Sequence, residues 1–346
     1  MGKGKGTFST DDTDIEHLIV LVHGMGGDVS DLSFLGKRLR KLSPNIAVYY
    51  STKNSSFRGT YDGINTGGLR LKEEFILTFH AKVMQESARY AKLKYLSMIG
   101  HSLGIGKLYD SGYFERIKPL NFITLATPHV GSGNTDDLLG TFTNFLCRWI
   151  LSTTGAQLIL EDDPISPLLL KMTERESNFM IALSMFARRV IYANVGGDLS
   201  VRYHTSALVD RPSLDIHNVS PLEKYPSIVE CVEVSPGARA DQSASEALSN
   251  AEFGIVGDSS SSVSDHETHV TEVVGREGQD RISPEKVDLI KKMLKSMLTV
   301  SWTRVSVKID SWFLNHVKII SKPMMFLMGP NGDDVTEHVA DQLLFE

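Results

Sequence analysis

Cysteine is nearly absent: the 346-residue chain has two, Cys147 and Cys231. That excludes a disulfide framework and any cysteine-based zinc spacing, and it predicts a reducing, cytoplasmic setting. Basic charge is also short, with 36 Lys and Arg against 42 Asp and Glu and a net charge of -6. No basic patch dominates, so nucleic acid is not an expected partner. No uninterrupted apolar run is long enough to span a bilayer. The opening MGKGKGTFSTDDTD lacks the apolar segment of a secretory signal. Gly2 could begin a myristoylation pattern, but position 6 is Gly where Ser or Thr is required. Any membrane or lipid-droplet contact is therefore expected to be peripheral. No internal repeat is visible.

The remaining composition, 41% hydrophobic and 23% charged, suits a globular chain with a sizeable core. Residues 1–14 read as a loose tail and 15–346 as one domain. Leu18 to Val22, Ala47 to Tyr50, Tyr95 to Ile99, Asn121 to Ala126, Arg189 to Val195 and Trp302 to Ile309 read as strands. Short apolar runs ending in Gly or Pro suit strands buried on both faces of a parallel sheet. Helical spacing covers Asp31 to Leu42, Leu69 to about Ala88, Pro284 to Leu298 and Val335 to Leu344. Strands alternating with helices predict βαβ units around a mostly parallel sheet. Residues 135–186 form an apolar, mostly helical excursion that reads as a cap or lid. Residues 235–281 are Ser-rich, acidic and poor in large apolar side chains. They read as a disordered insertion, because little burial is available to offset ordering entropy.

Three segments carry chemistry. Gly100-His101-Ser102-Leu103-Gly104 follows a buried strand and matches G-x-S-x-G, a sharp strand-to-helix turn that presents a nucleophilic serine at its tip. The Leu103 N–H then faces the developing oxyanion, and the helix N-terminus adds positive potential there. His23-Gly24-Met25-Gly26-Gly27 follows the first strand, where the Met25 N–H can supply a second oxyanion donor. A serine of this kind needs a base and an acid that orients it, in the chain order Ser, acid, His. Asp198 follows a strand and two glycines, with Asp162 and Asp163 in the helical excursion as rivals. His316 lies in a loop after a strand and is preferred as base over His338, which sits inside the last helix. His129, at a strand end beside Pro128, reads as structural. His266 and His269 sit in the acidic stretch and make no metal site, and no cofactor is expected.

HLIVLVHGMGG, TYDGI, MIGHSLG, PLNFITLATPH, TGAQLIL, RRVIYANVGGD, HTSAL and DDVTEHVADQLLF follow one another in this order. The series resembles the DUF676 serine esterase/lipase family, from about His17 to Phe345. The resemblance implies an α/β-hydrolase fold and hydrolysis of a carboxylic ester, of lipid type, with the family's site residues falling on Ser102, Asp198 and His316. One departure stands out. Family sequences continue GHSLG with residues resembling LVARYA before IGKLY, whereas here Gly104 runs directly into Ile105. About seven residues, roughly two helical turns, are missing behind the serine. The rival readings are a non-catalytic lipid-binding or scaffold member, and an acyltransferase or thioesterase using the same triad. Excising the acidic segment is expected to leave activity and melting temperature nearly unchanged; a thermal melt lowered by several degrees would show that it packs on the domain.

Overall fold

Successive side chains of a strand leave the pleat on opposite faces, and in β1 (His17–Val22) both faces are covered. Leu18, Val20 and Val22 enter one apolar cluster, while Ile19 and Leu21 enter another on the opposite face. The continuous apolar run is thus the signature of a strand inside a three-layer fold. The structure is a computed structural model that describes residues 14–55, 59–75, 77, 88–102, 116–131, 152–210, 220–237, 283–311, 314–323 and 325–345.

The other described strands are β2 (Ile46–Tyr50), β3 (Tyr95–His101), β4 (Lys118–Leu125), β5 (Arg188–Asn194), β6 (Ile228–Val234) and β7 (Trp302–Val307). They form a sheet of order β2-β1-β3-β4-β5-β7-β6. β6 runs antiparallel to β7, and the remaining neighbours are parallel. This is the mostly parallel, helix-flanked sheet of the α/β-hydrolase class. β6 was not foreseen from the sequence. Its burial alternates in its second half, as in an edge strand with one wet face, and IVECVEV carries that alternation only weakly.

Helices α1 (Ser33–Arg40) and α2 (Ile64–Glu74) follow β1 and β2. α2 starts at Ile64, five residues before the expected Leu69, because its start is fixed from a distant segment. Thr154 Oγ1 accepts from the Gly63 N–H at 2.9 Å, and Gln157 Oε1 from the Ile64 N–H at 2.7 Å. Glu74, at the other end, is buried. It accepts from the Ser51 and Thr52 hydroxyls and from the Thr52 and Lys53 amides, which pins α2 to the loop after β2.

The described part of the apolar excursion, residues 152–186, carries three helices: α3 (Thr153–Leu158), α4 (Leu168–Thr173) and α5 (Asn178–Met185). Leu158, Leu169, Leu170, Met180, Leu183 and Phe186 join the same core cluster as Leu18. This part packs as core. The remainder of the expected cap or lid, residues 135–151, lies outside the described residues, as do residues 238–281 of the expected insertion. The remaining helices are α6 (Tyr203–Ala207), α7 (Pro284–Met297), α8 (Asn315–Lys318) and α9 (Asp333–Asp341). Among the described residues no helix is long and apolar enough to cross a membrane.

Four histidines that face neutral partners are held uncharged by their surroundings. His17 Nε2 meets Ser97 Oγ at 2.7 Å, His129 Nε2 meets Thr124 Oγ1 at 3.0 Å, and His338 Nδ1 meets the Tyr192 hydroxyl at 2.8 Å. His101 Nε2 donates to the His316 carbonyl at 2.7 Å. Burial lowers the pKa of His17 and His338 to about 4 and that of His101 and His129 to about 3. An unfolded histidine titrates near 6.5. Below that pH the unfolded chain takes up protons that the folded chain refuses. The stabilisation is therefore complete above about pH 6.5 and is lost as pH falls toward 4, by at most about 1.4 kcal/mol per pH unit for each histidine. Urea unfolding midpoints are expected to drop between pH 7 and pH 5; equal midpoints would show that these rings are not held neutral.

Candidate active site

Ser102 follows β3 directly and has φ 59, the left-handed region that a side-chain-bearing residue enters only under constraint. The constraint comes from the sheet: the Ser102 N–H donates to the Leu125 carbonyl at the end of β4, at 3.0 Å. The loop after β1 closes in from the other side. A Cβ placed on Gly24 would stand 2.8 Å from Ser102 Cβ and 2.9 Å from His101 Nδ1, so only glycine permits this approach. His23 holds that loop, with Nδ1 donating to the Gly24 carbonyl at 2.9 Å and Nε2 on the Ser55 hydroxyl at 3.0 Å. Thr60 Oγ1 takes the Gly26 N–H at 2.9 Å. The Met25 N–H has no acceptor among the described residues. Leu103, Gly104 and the shortened stretch behind them lie outside the described residues.

Asp198 sits in the turn after β5, almost fully buried, with its Oδ2 3.1 Å from His316 Nδ1. Its Oδ1 accepts from the Ser200 and Val201 amides at 2.9 and 2.8 Å, and its Oδ2 also from the Asn194 amide at 2.9 Å. Burial pushes the carboxyl pKa up, but the His316 ring, the Val201 N–H and the Asn194 amide together outweigh it and hold it below the usual carboxylate range.

His316 was expected in a loop; it lies on the single turn α8. Asn315 makes the difference. Its backbone N–H donates to the Gly197 carbonyl at 3.0 Å and its side-chain amide to the Gly196 carbonyl at 2.7 Å. The chain reverses into this turn at Leu314, φ 64. Asn194 Nδ2 reaches the Asn315 carbonyl at 3.2 Å as well as Asp198. The residue that sequence reasoning passed over is His101. Its ring lies 4.7 Å from the His316 ring, centre to centre, and its Nε2–H holds the His316 carbonyl. Nothing in GHSLG distinguishes this histidine from a filler between Gly100 and Ser102.

The rival residues fall elsewhere. Asp163 accepts from the Ile165 and Ser166 amides and Asp162 from the Leu168 amide, all within their own loop. His338 packs against Tyr192 and Tyr225 on the opposite face of the sheet from the Ser102 cavity. That cavity measures about 60 Å³ and is lined by Ser102, Thr124, His129, Phe122, Leu158 and Met172 among others. Among the described residues no group of three or more His, Cys, Asp or Glu side chains is placed to hold a metal.

The family described as Putative serine esterase (DUF676) matches residues 12–208. That range contains Ser102 and Asp198 but ends before His316, whose position rests on geometry. Putative lipase C4A8.10 of Schizosaccharomyces pombe is 30% identical over 214 residues, 56% of this chain and 26% of that protein. Putative lipase ROG1 of Saccharomyces cerevisiae is 30% identical over 237 residues, 64% of this chain and 32% of that protein. The chain thus spans between a quarter and a third of the length of these relatives. Among solved structures, Bacillus licheniformis lipase BlEst2 in mature form superposes with a TM-score of 0.34 at 13% identity, over 56% of this chain and 69% of that one. A superposition that loose carries no weight for function.

Gly197 offers a test of the turn. Its φ is +68, and an added Cβ would meet the Asn315 amide and approach the Ser311 carbonyl to 2.6 Å. Gly197→Ala is expected to destabilise the fold by about 1–3 kcal/mol and to disturb the Asp198–His316 contact. An unchanged melting temperature together with unchanged ester turnover would show that the turn does not need glycine.

Proposed function

Because the chain belongs to the DUF676 serine esterase family, we propose that it hydrolyses a carboxylic ester of a lipid, with Ser102 as nucleophile, His316 as base and Asp198 as the acid that orients it. The observation that carries this reading is the pair of the buried Asp198 carboxylate and the partly exposed His316 ring standing beside the turn of Ser102. His101 links the two, adjacent to Ser102 in sequence and bonded to the His316 carbonyl in space.

The chemistry follows from the hydrogen bonds. Asp198 is an ionised acceptor, so the His316 Nδ1 facing it carries the proton. The lone pair is then on Nε2, free to take the Ser102 hydroxyl proton as Oγ attacks the ester carbonyl. The imidazolium that forms is stabilised by Asp198 and returns its proton to the leaving alcohol. Water, activated by the same ring, then releases the acid from the acyl-enzyme. His101 stays neutral at physiological pH, held by burial and by the neighbouring His316 to a pKa of about 3. It therefore places no like charge beside the protonated ring. The oxyanion fits between the Met25 and Leu103 amides. The lipid assignment draws on the apolar wall next to Ser102, where Phe122, Leu158, Leu169 and Met172 meet. α3 and α4 supply that wall through Leu158, Leu169 and Met172.

A fluorophosphonate probe is expected to label the protein and to fail on Ser102→Ala. Ser102→Ala and His316→Ala are each expected to lower ester turnover by about 10⁴-fold or more, Ser102→Ala while melting normally and His316→Ala with a lowered melting temperature because Asp198 loses its ring partner. A folded wild-type protein that resists the probe would overturn the reading.

A further inference from the structure

The turn that carries His316 is tied almost wholly to its own side of the sheet. The Asn315 backbone N–H donates to the Gly197 carbonyl, and its side-chain amide to the carbonyls of Gly196, Ile309 and Ser311. Asn194 donates to the Asn315 carbonyl, Asp198 holds the His316 ring, and Lys318 donates to the Ser311 hydroxyl and the Met328 carbonyl. All these partners belong to the end of β5 or to the chain that follows β5 and β7. Among the described residues, one hydrogen bond joins the turn, residues 314–318, to the strand that leads into Ser102. It runs from His101 Nε2 to the His316 carbonyl, at 2.7 Å.

His101 is buried and confined. One ring nitrogen faces the His316 turn; at the other, a Cβ on Gly24 would fall 2.9 Å from Nδ1. The loop after β1 thus closes the space into which the ring could move. A carbonyl only accepts, so the Nε2 facing it carries the proton, and the neutral ring leaves a lone pair on Nδ1. That nitrogen is buried without a partner, and a buried acceptor left unpaired costs stability. An apolar filler between Gly100 and Ser102 would avoid that cost, so what the histidine adds is the Nε2 bond. Gly100 and Ser102 line the cavity, whereas His101 does not. It is therefore placed to act on the base and not on the bound ester.

We infer that His101 is a positioning residue, a strut between the strand of the nucleophile and the turn of the base that sets the His316 ring at its working distance from Ser102. The inference rests on the serine-esterase reading for its chemistry. The Asp198–His316 pair is carried as one piece by the chain that follows β5 and β7. Without the strut it shifts relative to Ser102 without coming apart. Misplacing a catalytic group by about 1 Å costs on the order of 100-fold in rate.

The test compares the wild type with His101→Phe, which keeps a ring but no donor, and His101→Gln, whose Nε2 stands as many bonds from Cα as that of histidine. Turnover of a short soluble ester is measured beside the melting temperature and the hydrogen exchange of residues 314–319, whose amides bond to the Gly197, Leu314 and Asn315 carbonyls. His101→Phe is expected to melt within a few degrees of the wild type and to exchange these amides faster. Its kcat is expected to fall about 100-fold with KM changed by less than about threefold. His101→Gln is expected to recover at least about a tenth of the wild-type kcat, with exchange close to the wild-type rate. Should His101→Phe fail to fold, His101→Asn, whose amide is one bond too short, takes its place. Wild-type kcat or wild-type exchange in the variant without the donor, or a His101→Gln no better than that variant, would each overturn the inference. Faster exchange rescued by glutamine, in a protein whose Ser102 resists the fluorophosphonate, would uphold the strut and remove the esterase reading.

Discussion

Burying a carboxylate takes it out of water, and its neighbours must offset that loss. Around Asp198 they do so with the Ser200 and Val201 amides, the Asn194 side chain and the His316 ring. Much of the surrounding structure exists to deliver those donors. β5 ends at Asn194 so that its amide can serve both Asp198 and the Asn315 carbonyl. Gly197 adopts a left-handed conformation so that its carbonyl can take the Asn315 N–H. Asn315 closes the turn that sets His316 against Asp198. Removing any one partner leaves a buried polar group unsatisfied, which is why the arrangement acts as a unit.

The sheet supplies the other half of the constraint. Parallel strands with both faces covered bring their C-terminal ends to one edge, where loops meet and ligands bind in open α/β sheets. Ser102, Met25, Asp198 and His316 lie on the connections that follow four different strands, β3, β1, β5 and β7. The strain at Ser102 is held by the Leu125 carbonyl and by the close approach of Gly24. The described part of the excursion is welded into the same core through Leu158, Leu169 and Met180. Motion at the wall of the Ser102 cavity is therefore coupled to core packing.

Histidine is used here mainly in its neutral form. His17, His129 and His338 hydrogen-bond to hydroxyls inside the protein, and His101 to a main-chain carbonyl. His316 differs in facing a carboxylate and in being partly exposed. That contrast in environment, rather than in residue type, is what singles out His316 among the described histidines as the proposed base.

Residues whose signal is local were legible in the sequence. β1 and β3 announced themselves as apolar runs stopped by glycine, Ser102 through its pentapeptide, and Asp198 through the two glycines ahead of it. The fold class followed from the alternation of such runs with helical spacing. Features whose partners lie far along the chain were not legible. α2 begins where Thr154 and Gln157 cap it, some 90 residues away. β6 exists because β7 offers it an edge. His316 stands on a helical turn, not in a loop, because Asn315 finds carbonyls more than a hundred residues earlier. His101 was invisible because its partner, the His316 carbonyl, is 215 residues away. Periodicity and turn chemistry are properties of neighbours in sequence, so the sequence by itself determined the layers and the strained turn at Ser102. Hydrogen bonds between loops are properties of neighbours in space, and only the tertiary structure could decide which side chains meet.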